Sequence, residues 1–167
     1  MEKELPERKT TRLKKYDYSS RGAYFITVCT ENRENSLSSI VGEGSSLPKL
    51  TKFGEVVKKW IISLSEKYPE VNVDCYVIMP NHIHLLISIA RKSGREDPSP
   101  TVNSIVGWLK YQSTVDINNT ITLEKKKIFQ RSFYDHVVRN NDDYKEIYRY
   151  ICENPRNWYF DKLYNEK

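Results

Sequence analysis

Residues 23–30, Ala-Tyr-Phe-Ile-Thr-Val-Cys-Thr, form a run of aromatic and β-branched side chains that predicts a strand. Residues 31–50 are rich in Ser, Gly and Pro and predict loop or a short hairpin. Over 51–67, Phe53, Val56, Val57, Trp60, Ile61 and Leu64 fall at helical spacing, and Pro69 stands where that helix should stop. Next, Val73, Cys75, Val77 and Met79 alternate with Asp74, Tyr76 and Ile78, and a second apolar run covers 82–89. Pro80-Asn81 separates them. Proline cannot donate to a strand ladder, so it belongs at the tip between two neighbouring strands, 72–79 and 82–89. Residues 91–100 predict a loop. A helix over 101–117 carries Val102, Ile105, Val106 and Leu109 as its stripe. A strand over 129–139 and a helix over 142–154, stopped by Pro155, complete the pattern. The order strand, helix, strand, strand, helix, strand, helix predicts an α+β fold. It is a ferredoxin-like antiparallel sheet with helices packed against it.

The chain of 167 residues is the length of one domain. Residues 1–167 are accordingly expected to form a single domain, with a polar, basic arm at 1–22 and a C-terminal tail at 155–167. No apolar run reaches the roughly 18 residues of a membrane span, and 1–15 lacks the apolar stretch of a secretory signal. A cytoplasmic protein with no membrane partner is expected. Lys and Arg number 27 against 22 Asp and Glu, a net charge of +5, which permits a polyanionic partner without demanding one. Cys29, Cys75 and Cys152 are far apart, form no C-x-x-C, and are read as small buried hydrophobes.

Two of the three histidines, His82 and His84, sit in Met79-Pro80-Asn81-His82-Ile83-His84. Strand positions i and i+2 share a face, so the two imidazoles stand side by side. Such a pair makes two thirds of a facial metal site, and equally is what two sheet-surface histidines would look like. Histidine-triad nucleotide hydrolases need a further His where this chain has Leu86, and two-histidine phosphoesterases need H-x-T or H-x-S twice. Both are excluded. In the last helix, Tyr144, Ile147, Tyr148 and Ile151 form the core stripe. At about 100° per residue, Tyr150 lies roughly 110° away from that stripe. Asn154, four residues on, stands over the same side as Tyr150.

Taken together, Y-V-I-M-P-N-H-I-H-L-L-I (76–87), F-Q-R-S-F-Y-D-H-V-V-R (129–139) and Y-R-Y-I-C-E-N-P-R-N-W (148–158) resemble the REP-associated tyrosine transposases. These belong to the HUH single-tyrosine transposases of small bacterial insertion sequences. The early strand is similar too, and the resemblance spans about Arg12 to Trp158. It implies that His82 and His84 bind a divalent metal, Mg²⁺ or Mn²⁺, and that Asn154 completes the metal shell. It implies that Tyr150 is the nucleophile. The wider insertion-sequence branch carries Gln where this chain has Asn154, which favours the REP-associated branch. Phe129 replaces the family's usual Trp, a change of packing rather than of chemistry. The implied substrate is single-stranded or hairpin DNA, nicked and rejoined through a 5′-phosphotyrosine. Two imidazoles and an amide would also accept Zn²⁺ or Ni²⁺ in vitro.

Tyr134 is the rival nucleophile, but Val138 stands where an Asn or Gln would be needed. His136 shares a strand face with Tyr134 and Val138 and is read as structural, with a near-site or DNA role as the other reading. Arg12, Lys14, Lys15, Lys110, Arg131 and Arg139 are candidate DNA contacts, and Lys125-Lys126-Lys127 is read as a surface loop. The loops at 31–50 and 91–100 are where target preference would reside. A domesticated hairpin-binding protein without cleavage is the alternative function, and water-based phosphodiester hydrolysis a third. The resemblance allows a monomer or a homodimer.

Overall fold

The fold was taken from a computed structural model, which describes residues 22–41, 47–90 and 100–166. Strand β1 (Gly22–Cys29) is followed by a 3-10 turn (Glu31–Arg33) and a small hairpin, β2 (Ser38–Ser39) with β3 (Lys49–Leu50). Helices α1 (Lys52–Ile62) and α2 (Leu64–Lys67) lead to strands β4 (Val71–Ile78) and β5 (His82–Ile89). Helix α3 (Val102–Thr120), strand β6 (Tyr134–Val137), helix α4 (Asn141–Glu153) and a 3-10 turn (Trp158–Phe160) complete the described chain. The main sheet has the order β4-β5-β1-β6, and each neighbouring pair is antiparallel. This is the expected ferredoxin-like arrangement. The expected arm and the candidates Arg12, Lys14 and Lys15 lie outside the described residues, as does most of the 91–100 loop.

The two faces of the sheet are built differently. On one, Tyr24, Ile26 and Val28 of β1 and Ile83, Leu85, Ile87 and Ile89 of β5 are buried under α1 and α3. These two helices pack against each other, with Trp60 edge-on to Trp108 and Asp116 accepting from Lys59 Nζ and Trp60 Nε1. Phe129 joins this core, in keeping with a packing role. The opposite face holds a smaller cluster of Val77, Met79, Leu86, Ile151 and Trp158 under α4. The Tyr24 hydroxyl aside, β1 and β5 present polar side chains only there. Among the described residues no helix is long and apolar enough to cross a membrane.

The β4–β5 tip closes tightly, with Met79 N–H donating to His82 O (2.9 Å). Pro80 sits at that tip, as expected. Its carbonyl accepts from Leu37 N–H, and that of Asn81 from Thr30 N–H, so neighbouring loops brace the turn. Beneath it, Gly54 of α1 faces Leu37 so closely that an added Cβ would lie 2.1 Å from the Leu37 carbonyl oxygen.

Several sequence expectations are corrected. The helix expected over 51–67 divides at Ser63, whose hydroxyl donates to Lys59 O and competes with the helical pattern. The helix expected to end at 117 runs to Thr120, started by a Thr101–Ser104 capping box. The strand expected over 129–139 shrinks to Tyr134–Val137, with one isolated bridge from Phe129 to Thr30. Lys110 Nζ donates to the carbonyls of Gln130 (2.5 Å) and Arg131 (2.9 Å), which draws that segment out of the ladder. Tyr148 leaves the core stripe: it is 43% exposed, whereas Tyr144, Ile147 and Ile151 of the same helix pack into the cluster on this face of the sheet. The cysteines are not buried. Cys29 and Cys75 are half-exposed and Cys152 is exposed, and the last two sulfurs lie 3.9 Å apart where α4 crosses the edge strand.

Candidate active site

Antiparallel register brings the polar row of the sheet together. Thr27 lies opposite His84 on one side and Tyr134 on the other, and Cys29 lies opposite His82. Phe25, opposite His136 and Leu86, completes the row. Odd positions of β1 and even positions of β5 therefore share the α4 face, as strand periodicity requires. The two imidazoles meet there with their Nε2 atoms 3.1 Å apart, both side chains buried.

Each outer ring nitrogen is held. His82 Nδ1 is 2.8 Å from Asn81 Oδ1, and His84 Nδ1 is 2.9 Å from Thr27 Oγ1. Asn81 Nδ2 donates to Leu163 O (2.7 Å), which turns its oxygen toward His82. An amide oxygen only accepts, so His82 carries its proton on Nδ1 and leaves Nε2 as a lone pair. The Thr27 hydroxyl can donate or accept, so His84 is free to present either a proton or a lone pair. Burial lowers the pKa of His82 to about 4, partly opposed by the charge of Asp161. Burial, and then the neighbouring His82, lowers His84 well below the ordinary histidine range. Both rings are therefore neutral at pH 7, the form that ligates metals.

Helix α4 brings the other two predicted residues. Asn140 caps it, accepting from the N–H groups of Asp142 and Asp143. Asp143 Oδ2 accepts from Arg139 N–H and pairs with His136 Nε2, each at 3.0 Å, tying β6 to the first turn of the helix. This contact is in keeping with the structural reading of His136. One end of α4 is fixed in this way, and near the other Ile151 is buried against the sheet. Tyr150 then projects over the histidines, its hydroxyl 3.5 Å from His84 Nε2 and its ring edge-on to Phe25. Burial, and then the charge of Asp161, raises its pKa, so it is a phenol at neutral pH. Asn154 is buried beside the pair. Its Nδ2 donates to Asp161 Oδ2 (2.8 Å), whereas its Oδ1 is buried with no hydrogen bond. The amide still lies near enough to His82 and Tyr150 to bias both proton equilibria.

All four predicted site residues, His82, His84, Tyr150 and Asn154, are therefore brought together. His84, Tyr150 and Asn154 line a cavity of about 840 Å³ that also includes Phe25, Tyr134 and Phe160. Tyr134, the rival, is 49% exposed on this wall. Gln130 and Ser132 line it on either side of Arg131, which is exposed. Arg139 is exposed beyond β6 and away from the cavity wall. Lys110 is engaged with backbone carbonyls, and burial lowers its pKa.

Sequence reasoning missed the support around these residues. Thr27 and Asn81 act through register and turn geometry, and only the H-x-H motif beside Asn81 signalled it. Asp161 gave no signal, because it follows the last helix in a segment without periodicity. Yet His82, His84 and Asp161 are the cluster of potential metal ligands found among the described residues, with their ligand atoms all within 4.8 Å of one another.

Comparison with known proteins agrees with the geometry. Residues 18–154 match the family described as "Transposase IS200 like". An uncharacterised protein of Haemophilus influenzae is 33% identical, covering 96% of this chain and 94% of its own length. A REP-associated tyrosine transposase of Escherichia coli is 25% identical, covering 83% of this chain and 68% of its own. Among solved structures, a REP-associated tyrosine transposase bound to a REP hairpin superposes with a TM-score of 0.58. It is 24% identical and covers 86% of this chain and 72% of its own. The chain therefore belongs to the IS200-like transposase family, and the relatives it is similar to include REP-associated tyrosine transposases.

Proposed function

We propose that the protein nicks and rejoins single-stranded DNA carrying a hairpin, with Tyr150 as nucleophile and a divalent cation, Mg²⁺ or Mn²⁺, held by His82, His84 and Asn154. The observation that carries this reading is the tyrosine hydroxyl 3.5 Å from an imidazole whose Nε2 is itself 3.1 Å from a second. A packing role explains neither the buried pair of neutral imidazoles nor the Asn154 oxygen buried without a hydrogen bond. These donors fit a cation: the lone-pair Nε2 of His82, the Nε2 of His84, which can offer a lone pair when Thr27 accepts from its Nδ1, and an amide oxygen. When bound, the cation supplies Lewis acidity at a non-bridging phosphate oxygen and a template for in-line attack.

The chain's own residues do the rest. Asn81 and Thr27 keep the imidazoles oriented. Phe25, edge-on to the Tyr150 ring, sets its angle. The phenolic oxygen attacks phosphorus, the P–O3′ bond breaks, and the departing 3′ oxygen ends as a hydroxyl once the phenolic proton is given up. The phosphotyrosine left on the 5′ side conserves the phosphodiester bond energy. A second 3′-hydroxyl reverses the step, so no nucleotide cofactor is consumed. Phe25, Tyr134 and Phe160 along the cavity are suited to stack unpaired bases. The relative solved with a REP hairpin supports hairpin DNA as the partner.

Labelled single-stranded DNA from the flanks of the gene, incubated with Mn²⁺ and run on a denaturing gel, tests this. A covalent adduct is expected with wild type and Tyr134→Phe, and none with Tyr150→Phe or with chelator. Tight, salt-sensitive binding with no adduct under any metal would instead make the protein a hairpin binder.

A further inference from the structure

Beyond the four residues above, the tail contributes a carboxylate. We propose that Asp161 is the anionic ligand of the divalent-cation site, an inference that rests on reading His82 and His84 as metal ligands. Charge supplies the first argument. Two neutral imidazoles and an amide bring no negative charge to a buried site, and a desolvated dication needs an anion to offset its lost hydration. Asp161 supplies one, and it is the carboxylate grouped with the histidines among the described residues.

Spacing supplies the second. Ligand atoms about 2.1 Å from one octahedral ion lie roughly 3 Å apart when adjacent and about 4.2 Å apart when opposite. The two Nε2 atoms are 3.1 Å apart, and the nitrogen and carboxylate atoms together fall within 4.8 Å. The site needs only a small contraction to close on a cation.

Preorganisation supplies the third. Asp161 Oδ1 accepts from Leu163 N–H (2.7 Å), and the Leu163 carbonyl is held by Asn81, the residue that also orients His82. Trp158 packs on the His82 ring and on Tyr164, fixing the tail from both sides of Asp161. The bond from Asn154 Nδ2 to Asp161 Oδ2 also decides the amide's orientation. A flipped amide would set its oxygen against the carboxylate, so Oδ1 stays turned away from Asp161 and free of any hydrogen bond. Each carboxylate oxygen keeps a second lone pair for a metal. Asp161 lies beyond residues 18–154, the part of the chain that matches the family. A hard oxygen anion also shifts the site's preference from Zn²⁺ and Ni²⁺ toward Mg²⁺ and Mn²⁺.

The test is Mn²⁺ and Ni²⁺ titration of the full chain without DNA, by calorimetry. Wild type would be compared with Asp161→Asn, Asp161→Glu and His84→Ala. Asp161→Asn should weaken Mn²⁺ binding by about 100-fold and Ni²⁺ binding much less, a change of preference that loss of structure alone would not cause. Asp161→Glu should recover part of the Mn²⁺ affinity. Wild-type Mn²⁺ affinity in Asp161→Asn, with binding lost in His84→Ala, would overturn the role of Asp161 and leave the histidine site standing. Equal loss of Mn²⁺ and Ni²⁺ in Asp161→Asn, unrescued by Glu, would also overturn it. Binding unchanged in His84→Ala would overturn the metal-site reading itself.

Discussion

Single atoms decide whether the paired histidines can ligate. His82 is committed by Asn81 to a bare Nε2, while His84 depends on a threonine hydroxyl that can turn either way. Thr27→Val keeps the volume and removes that hydroxyl. It should weaken Mn²⁺ binding about 10- to 100-fold, read by calorimetry, with the far-ultraviolet circular dichroism unchanged. The neutral rings also make the metal-free fold sensitive to acid. Below about pH 6.5 the unfolded chain protonates His82, whereas the folded chain does so only near pH 4. The unfolded state thus binds more protons between those values, and stability falls as the pH drops through that window. His84, also held well below the ordinary histidine range by burial, adds in the same direction. Melting temperatures in the presence of chelator should decline from pH 6.5 toward 4, and the contribution of these two groups should be flat above 6.5. At this scale the sequence was partly legible. H-x-H and Tyr150 with Asn154 were readable because strand and helix periods place them. Asp161 and Thr27 were not, because one lies in an aperiodic tail and the other reaches the site only through cross-strand register.

At the scale of elements, the site depends on what braces the β4–β5 tip and α4. The Leu37 segment holds the Pro80 carbonyl and rests on Gly54 of α1. Gly54→Ala would drive a Cβ to 2.1 Å from the Leu37 carbonyl oxygen, an immovable backbone atom. A destabilisation of about 1–3 kcal/mol, read by urea denaturation, is expected. Because Leu37 contacts the turn that carries Asn81 and His82, metal affinity should drop in the same variant. The order of elements was legible because each apolar run has a clear period and most are stopped by Pro or polar loops. Their extents were not. Ser63 divides a helix through its own hydroxyl, and Lys110, distant in sequence, removes residues from β6 by capturing two carbonyls. Local patterns cannot report a side chain arriving from another element. The same limit hid the partial exposure of Cys29, at the cavity, and of Cys75, on the edge strand.

For the whole molecule, the sheet divides labour between its faces. One face is an apolar core under α1 and α3, and the other carries the polar row, covered by α4 and the tail. That division follows from β5 being central and buried on both sides, so its alternate residues serve different purposes. The central claim is that Tyr150, and not Tyr134 on the same cavity wall, forms the bond to DNA. Tandem mass spectrometry of the Mn²⁺-dependent adduct, after nuclease and trypsin, reads this directly. The phosphonucleotide should be found on the tryptic peptide 150–156, attached to its tyrosine. Finding it on peptide 132–139, which carries Tyr134, would contradict the account.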